Sequence, residues 1–391
     1  MDYSNGWYSW HLLFKLEFSV TRRLSQTNKD RTKFSASRTG KARRTDFNCR
    51  GSTINSMRYL ILITAICLLN TTFASETPAR FVNAEMIVYD DRFYDFIDAS
   101  SQVETLASNL GWAEGPVWVG ALNSLLFSDV AADKIYRWDE SEGLREYLFP
   151  SGHLPDNSPN AWRGSNGLAI DQSGRLFLAQ QSNRNISRML ETLDNPTPAY
   201  EVLADKYKGK MLNSPNDLVI HRSGDIFFTD PPYGLTGFEN SPDIELGFFG
   251  VFRLSLKGEL TLLAMDIDKP NGIALSVDQS RLYVSNSESG NPQIIAIDLD
   301  NQLSPGSSRL FYDAKKIVPD GPGSTDGMTV HASNFVFVSI PNGLGILSPE
   351  GILLGKIALG QVTNMAFDDT FSHLYITATK RLLRLKLNRV D

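Results

Sequence analysis

Two carboxylates and two carboxamides, Glu114, Asn216, Asn271 and Asp326, stand at one place in a unit that the chain repeats. All four offer oxygen, the donor that hard divalent cations take, Ca²⁺ first and Mg²⁺, Mn²⁺ or Zn²⁺ after it. Asn-Gly and Asp-Gly also supply the backbone conformations of tight turns, and for one such pair that reading suffices. Here Asn or Asp recurs at the same position in five units and Glu114 takes it in a sixth, which favours the metal over the turn. A cation so held acts as a Lewis acid and acidifies bound water.

The elements that position these residues are hairpins. NSPNDLVIHRSGDIFFTD, from Asn213, reads as a polar turn, a strand, a tight turn at Ser223-Gly224 and a second strand ending on Asp230. Related units begin at Ala113, Ser165, Pro270, Thr325 and Thr363. Their entrance residues, Glu114, Asn166, Asn216, Asn271, Asp326 and Asn364, are 52, 50, 55, 55 and 38 positions apart. A β-rich period of this length predicts an all-β, six-bladed β-propeller with an axial metal site, because inner-strand entrances converge on one axis. The ring is expected to close by pairing a strand from Arg80–Tyr94 or from the stretch after Ser101 with the last strands, including KRLLRLKL from Lys380. Two longer connections, from Leu148 and from Pro231, are expected on the face that carries the site.

The N-terminus reads differently. Residues 1–56 hold 11 Lys or Arg against 4 Asp or Glu, with little strand periodicity, and are expected to be disordered or foreign to the functional protein. From Met57 one Arg, an apolar run over Leu60–Leu69 and small residues near Ala74 form a secretory signal peptide over 57–74, with translation expected to begin at Met57. The run is too short to span a bilayer. The propeller is expected over 75–391, in an exported protein, periplasmic or secreted, with no membrane association after cleavage. That segment holds 26 basic and 40 acidic side chains, a net charge near −14, which repels nucleic acid. Cys49 and Cys67 both precede it, which leaves it without a disulfide or a thiolate nucleophile.

The motifs AEGPVWV, LLFSDV with KIYRWD, RGSNGLAID, LNSPNDLVI with FFTDPPYGL, KPNGIALS and DGPGSTDGM occur in order from about residue 100 to the C-terminus. Through them the chain resembles the gluconolactonase branch of the senescence-marker protein (regucalcin) and gluconolactonase family, six-bladed propellers with one divalent metal in the axial channel. The resemblance implies that Glu114 and Asn271 bind the metal, that Asp326 is both ligand and acid/base, and that Asn216 touches metal or substrate. It implies a sugar lactone as the small-molecule substrate and an aldonic acid as the product. Animal members place an Arg shortly before the Asn-Asp pair, where this chain has Asn213-Ser214-Pro215. Arg163, Asn166, Asp230 and Tyr233 are the candidates for the substrate contacts that this change removes, with Asp230 and Tyr233 also readable as turn and rim residues.

Two other readings share the fold. An aryl-ester or phosphotriester hydrolase of the paraoxonase type needs a His pair that His153, His221, His331 and His373 do not obviously supply. A non-catalytic binding propeller would need no charged residues at its channel mouth. No G-x-S-x-G elbow follows residue 74, which weighs against a serine esterase. His221 and His331 read as packed or exposed strand residues, His153 as an outside candidate for substrate contact, and Trp118 and Trp138 as packing between blades.

Overall fold

The computed structural model of the chain describes residues 81–82, 84–152, 163–320 and 323–389. The expectations for the extension and the export signal, for His153 and for most of the first long connection fall outside these residues.

Six antiparallel sheets of four or five strands follow one another along the chain, with a two-stranded ribbon, Lys206–Tyr207 and Lys210–Met211, between the second and third. Blade one comprises Ala113–Val119, Ser124–Asp129, Lys134–Asp139 and Gly143–Leu148. Blade two runs from Leu168–Ile170 to Tyr200–Ala204, blade three from Leu218–Ile220 to Leu260–Ala264, and blade four from Pro270–Leu275 to Pro305–Asp313. Blade five begins at Met328–Val330 and blade six at Asn364–Phe367. The six-bladed propeller expected from the repeats is therefore the architecture found.

The second strands lie deep in the molecule because neighbouring blades cover both of their faces. SLLFSD, LFLAQ, IFFTD and VFVSI are buried at every residue. Val119, Leu126 and Ile135 of blade one pack on Leu168, Leu176 and Leu178 of blade two, and Phe177 of blade two packs with Phe228 and Phe252 of blade three. Burial of this kind stabilises by about 25 cal/mol per Å² of apolar surface removed from water. The hairpin turns supply the rest of the pattern: Gly224, at φ +89°, takes a conformation that a Cβ would disfavour.

Of the two N-terminal segments, the stretch after Ser101 closes the ring, whereas Met86–Val88 adds an outer strand to blade five. Val103–Ala107 pairs with Arg381–Lys386 in blade six, and Met86–Val88 pairs with Leu353–Ala358 in blade five. Between them, Phe93, Phe96 and Ile97 are buried against Phe337, Leu354 and Ile357. At the seam between blades six and one, Trp118 stacks on Tyr375 with centroids 5.3 Å apart and Trp138 lies 5.6 Å from the same ring. Ala113 N donates to Thr379 O at 2.6 Å across that seam.

The three described histidines are structural in setting. His331 is buried among Phe96, Phe335, Phe337, Phe367 and Phe371. His221 Nδ1 meets Ser223 Oγ at 2.7 Å in its turn, and His373 Nδ1 lies 3.1 Å from Asp368 Oδ2.

Candidate functional site

Each inner strand begins where its polar entrance turn meets the next blade, and a girdle of hydroxyls joins the turns. Ser128 Oγ donates to Asn166 O at 2.7 Å, Thr229 Oγ1 to Asn271 O at 2.6 Å, and Ser285 Oγ to Asp326 O at 2.7 Å. Ser339 Oγ donates to Val362 O at 2.6 Å and Thr363 Oγ1 to Ala113 O at 2.7 Å. Between blades two and three, where Ala179 takes the place of the hydroxyl residue, Gly167 N donates directly to Asn216 O at 2.7 Å. Every link runs from one blade to the next, so the entrance backbones are fixed relative to one another. The glycines after the entrance residues permit this approach: a Cβ on Gly115 would strike Asn166 O, and one on Gly272 would strike Asp326 O.

Glu114, Asn216 and Asn271 are each less than a tenth exposed at the axis, and Asp326 is half-buried beside them. Burial pushes Glu114 well above the usual carboxylate range, and the like charges of Asp326 and Asp217 push it further. Asp326 is raised in the same way, by burial first and then by Asp217, with hydrogen bonds from the Asn271 amide and Gly327 N opposing. The Trp112 indole and Gly115 N donate to Glu114. Asn271 Nδ2 also reaches Ser287 Oγ at 3.4 Å.

Ser287 Oγ lies 2.6 Å from the Tyr233 hydroxyl and donates to Lys269 O at 3.1 Å. Tyr233, from the second long connection, thus stands beside Asn271, and burial together with the charges of Asp326, Glu288 and Glu239 raises its phenol. Asn166 lies at the entrance of blade two, its Nδ2 on Gln181 Oε1 at 3.3 Å and its buried Oδ1 without a hydrogen-bond partner. Arg163 is exposed in the connection that leads to Asn166, its carbonyl accepting from Ser182 Oγ at 2.6 Å. Asp230 is placed differently: it is fully buried, and its Oδ2 accepts from Asn213 N at 2.8 Å and Asn213 Nδ2 at 3.0 Å. Asp129 does the same for Gly111 N and Trp112 N, and Asn286 Oδ1 for Lys269 N, so this position clamps the connection that precedes an entrance turn.

The donor set fits a divalent cation. The charge of Asp326 raises the buried Glu114 carboxyl, and that of Asp217, of the same sign, raises both. A buried oxygen on Asn166 lacks a hydrogen-bond partner, a state that costs about 1–3 kcal/mol when left so. Among the described residues no three His, Cys, Asp or Glu side chains group closely enough to hold a metal by themselves. A cation here would need the amides as well as the carboxylates.

Three contributors were not singled out from the sequence. Trp112 sits two residues before Glu114, and strand alternation would have put it on the same face. Ser287 carries no local signature and is linked to the site only by Tyr233 and Asn271, 54 and 16 positions away. Asp217 was legible as half of an Asn-Asp turn but not as a partner of the two carboxylates.

Residues 112–380 match the family described as "SMP-30/Gluconolactonase/LRE-like region". A gluconolactonase from Zymomonas mobilis is 38% identical over 305 residues, which cover 76% of this chain and 85% of that protein. Among solved structures, a gluconolactonase from Xanthomonas campestris superposes with TM-score 0.67 at 30% identity, covering 79% of this chain and 98% of the other. A calcium-binding regucalcin from Agrobacterium tumefaciens superposes with TM-score 0.57 at 17% identity, covering 73% and 94%, a likeness of fold. With the matched region running from the first blade into the last, the chain belongs to the SMP-30/gluconolactonase/LRE-like family.

Proposed function

We propose that this chain is a metal-dependent lactone hydrolase that opens a sugar lactone of the gluconolactone type to its aldonic acid. The observation that carries the reading is the convergence of Glu114 and Asp326 at the axis, where the charge of Asp326 raises the buried Glu114 carboxyl and Asn271 donates to Asp326. Glu114, Asn216, Asn271 and Asp326 are the residues that would hold one divalent cation, with Ca²⁺ the leading candidate. When bound, such an ion supplies Lewis acidity toward a carbonyl oxygen and acidifies water.

The side chains divide the remaining work. With Nδ2 of Asn271 donating to Asp326 and Ser287, its carbonyl oxygen is the atom left for a ligand. Asp326 takes a proton from the water that attacks the lactone carbonyl and returns it to the ring oxygen as the C–O bond breaks, so that water is added overall and a hydroxy acid leaves. Asn216 steadies the reacting group from the neighbouring turn. Asn166 and Tyr233 meet the sugar hydroxyls from either side, Arg163 approaches from the rim, and Asp230 holds the Asn213 connection in its place. The protein acts after export, in the periplasm or outside the cell, on a small soluble substrate.

The test is hydrolysis of glucono-1,5-lactone followed with a pH indicator and corrected for spontaneous opening, with chelator and with Ca²⁺ restored. Turnover that disappears with chelator and returns with Ca²⁺ is expected. Undiminished turnover in the thoroughly chelated protein would remove the metal from the mechanism.

A further inference from the structure

Five of the six entrance residues are followed by Gly or by a residue whose side chain stays off the axis, and blade three is the exception. Glu114, Asn166, Asn271 and Asp326 precede Gly115, Gly167, Gly272 and Gly327, and blade six has Asn364-Met365. These glycines are not free to change: a Cβ on Gly327 would strike the Asn364 side chain, and one on Gly167 would lie 2.7 Å from Asp217 Oδ1. The space they leave is filled by Asp217 and Asn364. Asp217 Oδ1 accepts from Leu218 N at 2.9 Å, and Oδ2 accepts from Ile273 N at 3.3 Å and from Asn364 Nδ2 at 3.2 Å. Asn364 Oδ1 in turn accepts from Met365 N at 2.8 Å.

Blades three and six face each other across a six-membered ring. The girdle of hydroxyls joins only adjacent blades, whereas the Asp217 to Asn364 bond spans the axis, one residue deeper than Asn216. Its ends touch the strands that carry three of the four proposed ligands. Asp217 follows Asn216 directly, Ile273 lies two residues after Asn271, and Asn364 packs on Gly327 beside Asp326.

We infer that Asp217 is a positioning residue for the cation site: with Asn364 it forms a strut across the channel floor that sets the separation of Asn216, Asn271 and Asp326. The inference rests on the metal reading given above. A carboxylate suits the task because it has only acceptors and is met by three donors. An amide of the same shape has one acceptor oxygen and would turn N–H toward N–H at one of these contacts, so Asp217→Asn loosens the strut with little change of volume. Residues that orient ligands from behind are worth about ten- to a hundredfold in metal affinity.

The experiment measures Ca²⁺ affinity by calorimetry on chelator-treated full-length protein, with thermal melting in the absence of cation as a parallel reading. Three proteins are compared: wild type, Asp217→Asn, and the exchanged pair Asp217→Asn with Asn364→Asp, which restores one carboxylate and one amide across the axis. The single variant is expected to bind Ca²⁺ about ten- to a hundredfold more weakly while retaining a cooperative melting transition, and the exchanged pair to recover most of that loss. Wild-type affinity in Asp217→Asn would overturn the inference and leave the metal reading standing. A wild type that binds no divalent cation would overturn both. Should Asp217→Asn not fold, the exchanged pair decides: affinity near wild type supports the strut, and a folded pair that binds as weakly as the single variant is expected to bind refutes it.

Discussion

Thr229 Oγ1 donates to the Asn271 carbonyl at 2.6 Å across the boundary of blades three and four, and accepts from Asp217 N at 3.2 Å. One buried hydroxyl therefore fixes the backbone of a proposed ligand and that of the strut beneath it. Thr229→Ser keeps both bonds. Thr229→Val keeps the shape and leaves two buried main-chain groups unpaired, at a cost of about 1–3 kcal/mol. Urea unfolding should show that loss for Val and little for Ser, and lactone turnover should fall in the same order. Equal stability of the two variants would mean that the girdle is not what holds the entrances.

Tyr233 reaches the site through Ser287 Oγ, 2.6 Å from its hydroxyl. Tyr233→Phe removes that contact without disturbing the T-shaped packing on Phe238, whose centroid is 6.4 Å away. If the hydroxyl meets the sugar equally in ground and transition states, KM rises by up to about tenfold and kcat stays. A fall in kcat at constant KM would instead place the phenol on the developing charge.

The fold was legible because the second strands open on apolar runs and the entrance turns recur: LLFSD, FFTD and FVSI each announce a buried strand. Closure was legible as a need, since a ring leaves no free edge; of the two candidate segments the one after Ser101 meets it, while Met86–Val88 extends blade five. The convergence of Glu114 and Asp326 followed from topology, which brings together residues 212 positions apart. Asp230 shows where such reading stops. An Asp at the end of a strand facing an active loop looks available to substrate, and only the register reveals that Asn213 occupies its carboxylate. Ser287 stayed hidden for a related reason: its importance lies in its neighbours, and a serine after a strand has no pattern of its own.

Glu114 is held among like charges, which sets function against stability. Glu114→Gln removes one buried charge and keeps an oxygen for Gly115 N, so the metal-free variant should melt at or above the wild-type temperature. Saturating Ca²⁺ should then stabilise wild type, by about 2.7 kcal/mol at a hundredfold excess over Kd, and the variant much less. Lactone turnover should fall by at least about a hundredfold, the scale of losing one charged transition-state contact. A variant melting well below wild type without metal would show that Glu114 is needed for folding, not only for the ion.

Asp230 gives the protein a pH dependence separable from catalysis. Burial raises its carboxyl from 3.8 to about 7, against the opposing hydrogen bonds of Asn213 and Ser214 and the charge of Arg184. The folded state thus holds the proton more tightly than the unfolded chain. The associated stability is fully present below about pH 4, the unfolded value, and is lost as pH rises through about 7. Asp230→Asn carries no charge at any pH and retains a carbonyl oxygen for Asn213 N–H. The stability of the variant relative to wild type, from urea unfolding, should therefore increase between about pH 5 and pH 8, by at most roughly 2.6 kcal/mol. A difference that stays constant across that range would mean that Asp230 is ionised throughout, held so by Asn213 and by the guanidinium of Arg184.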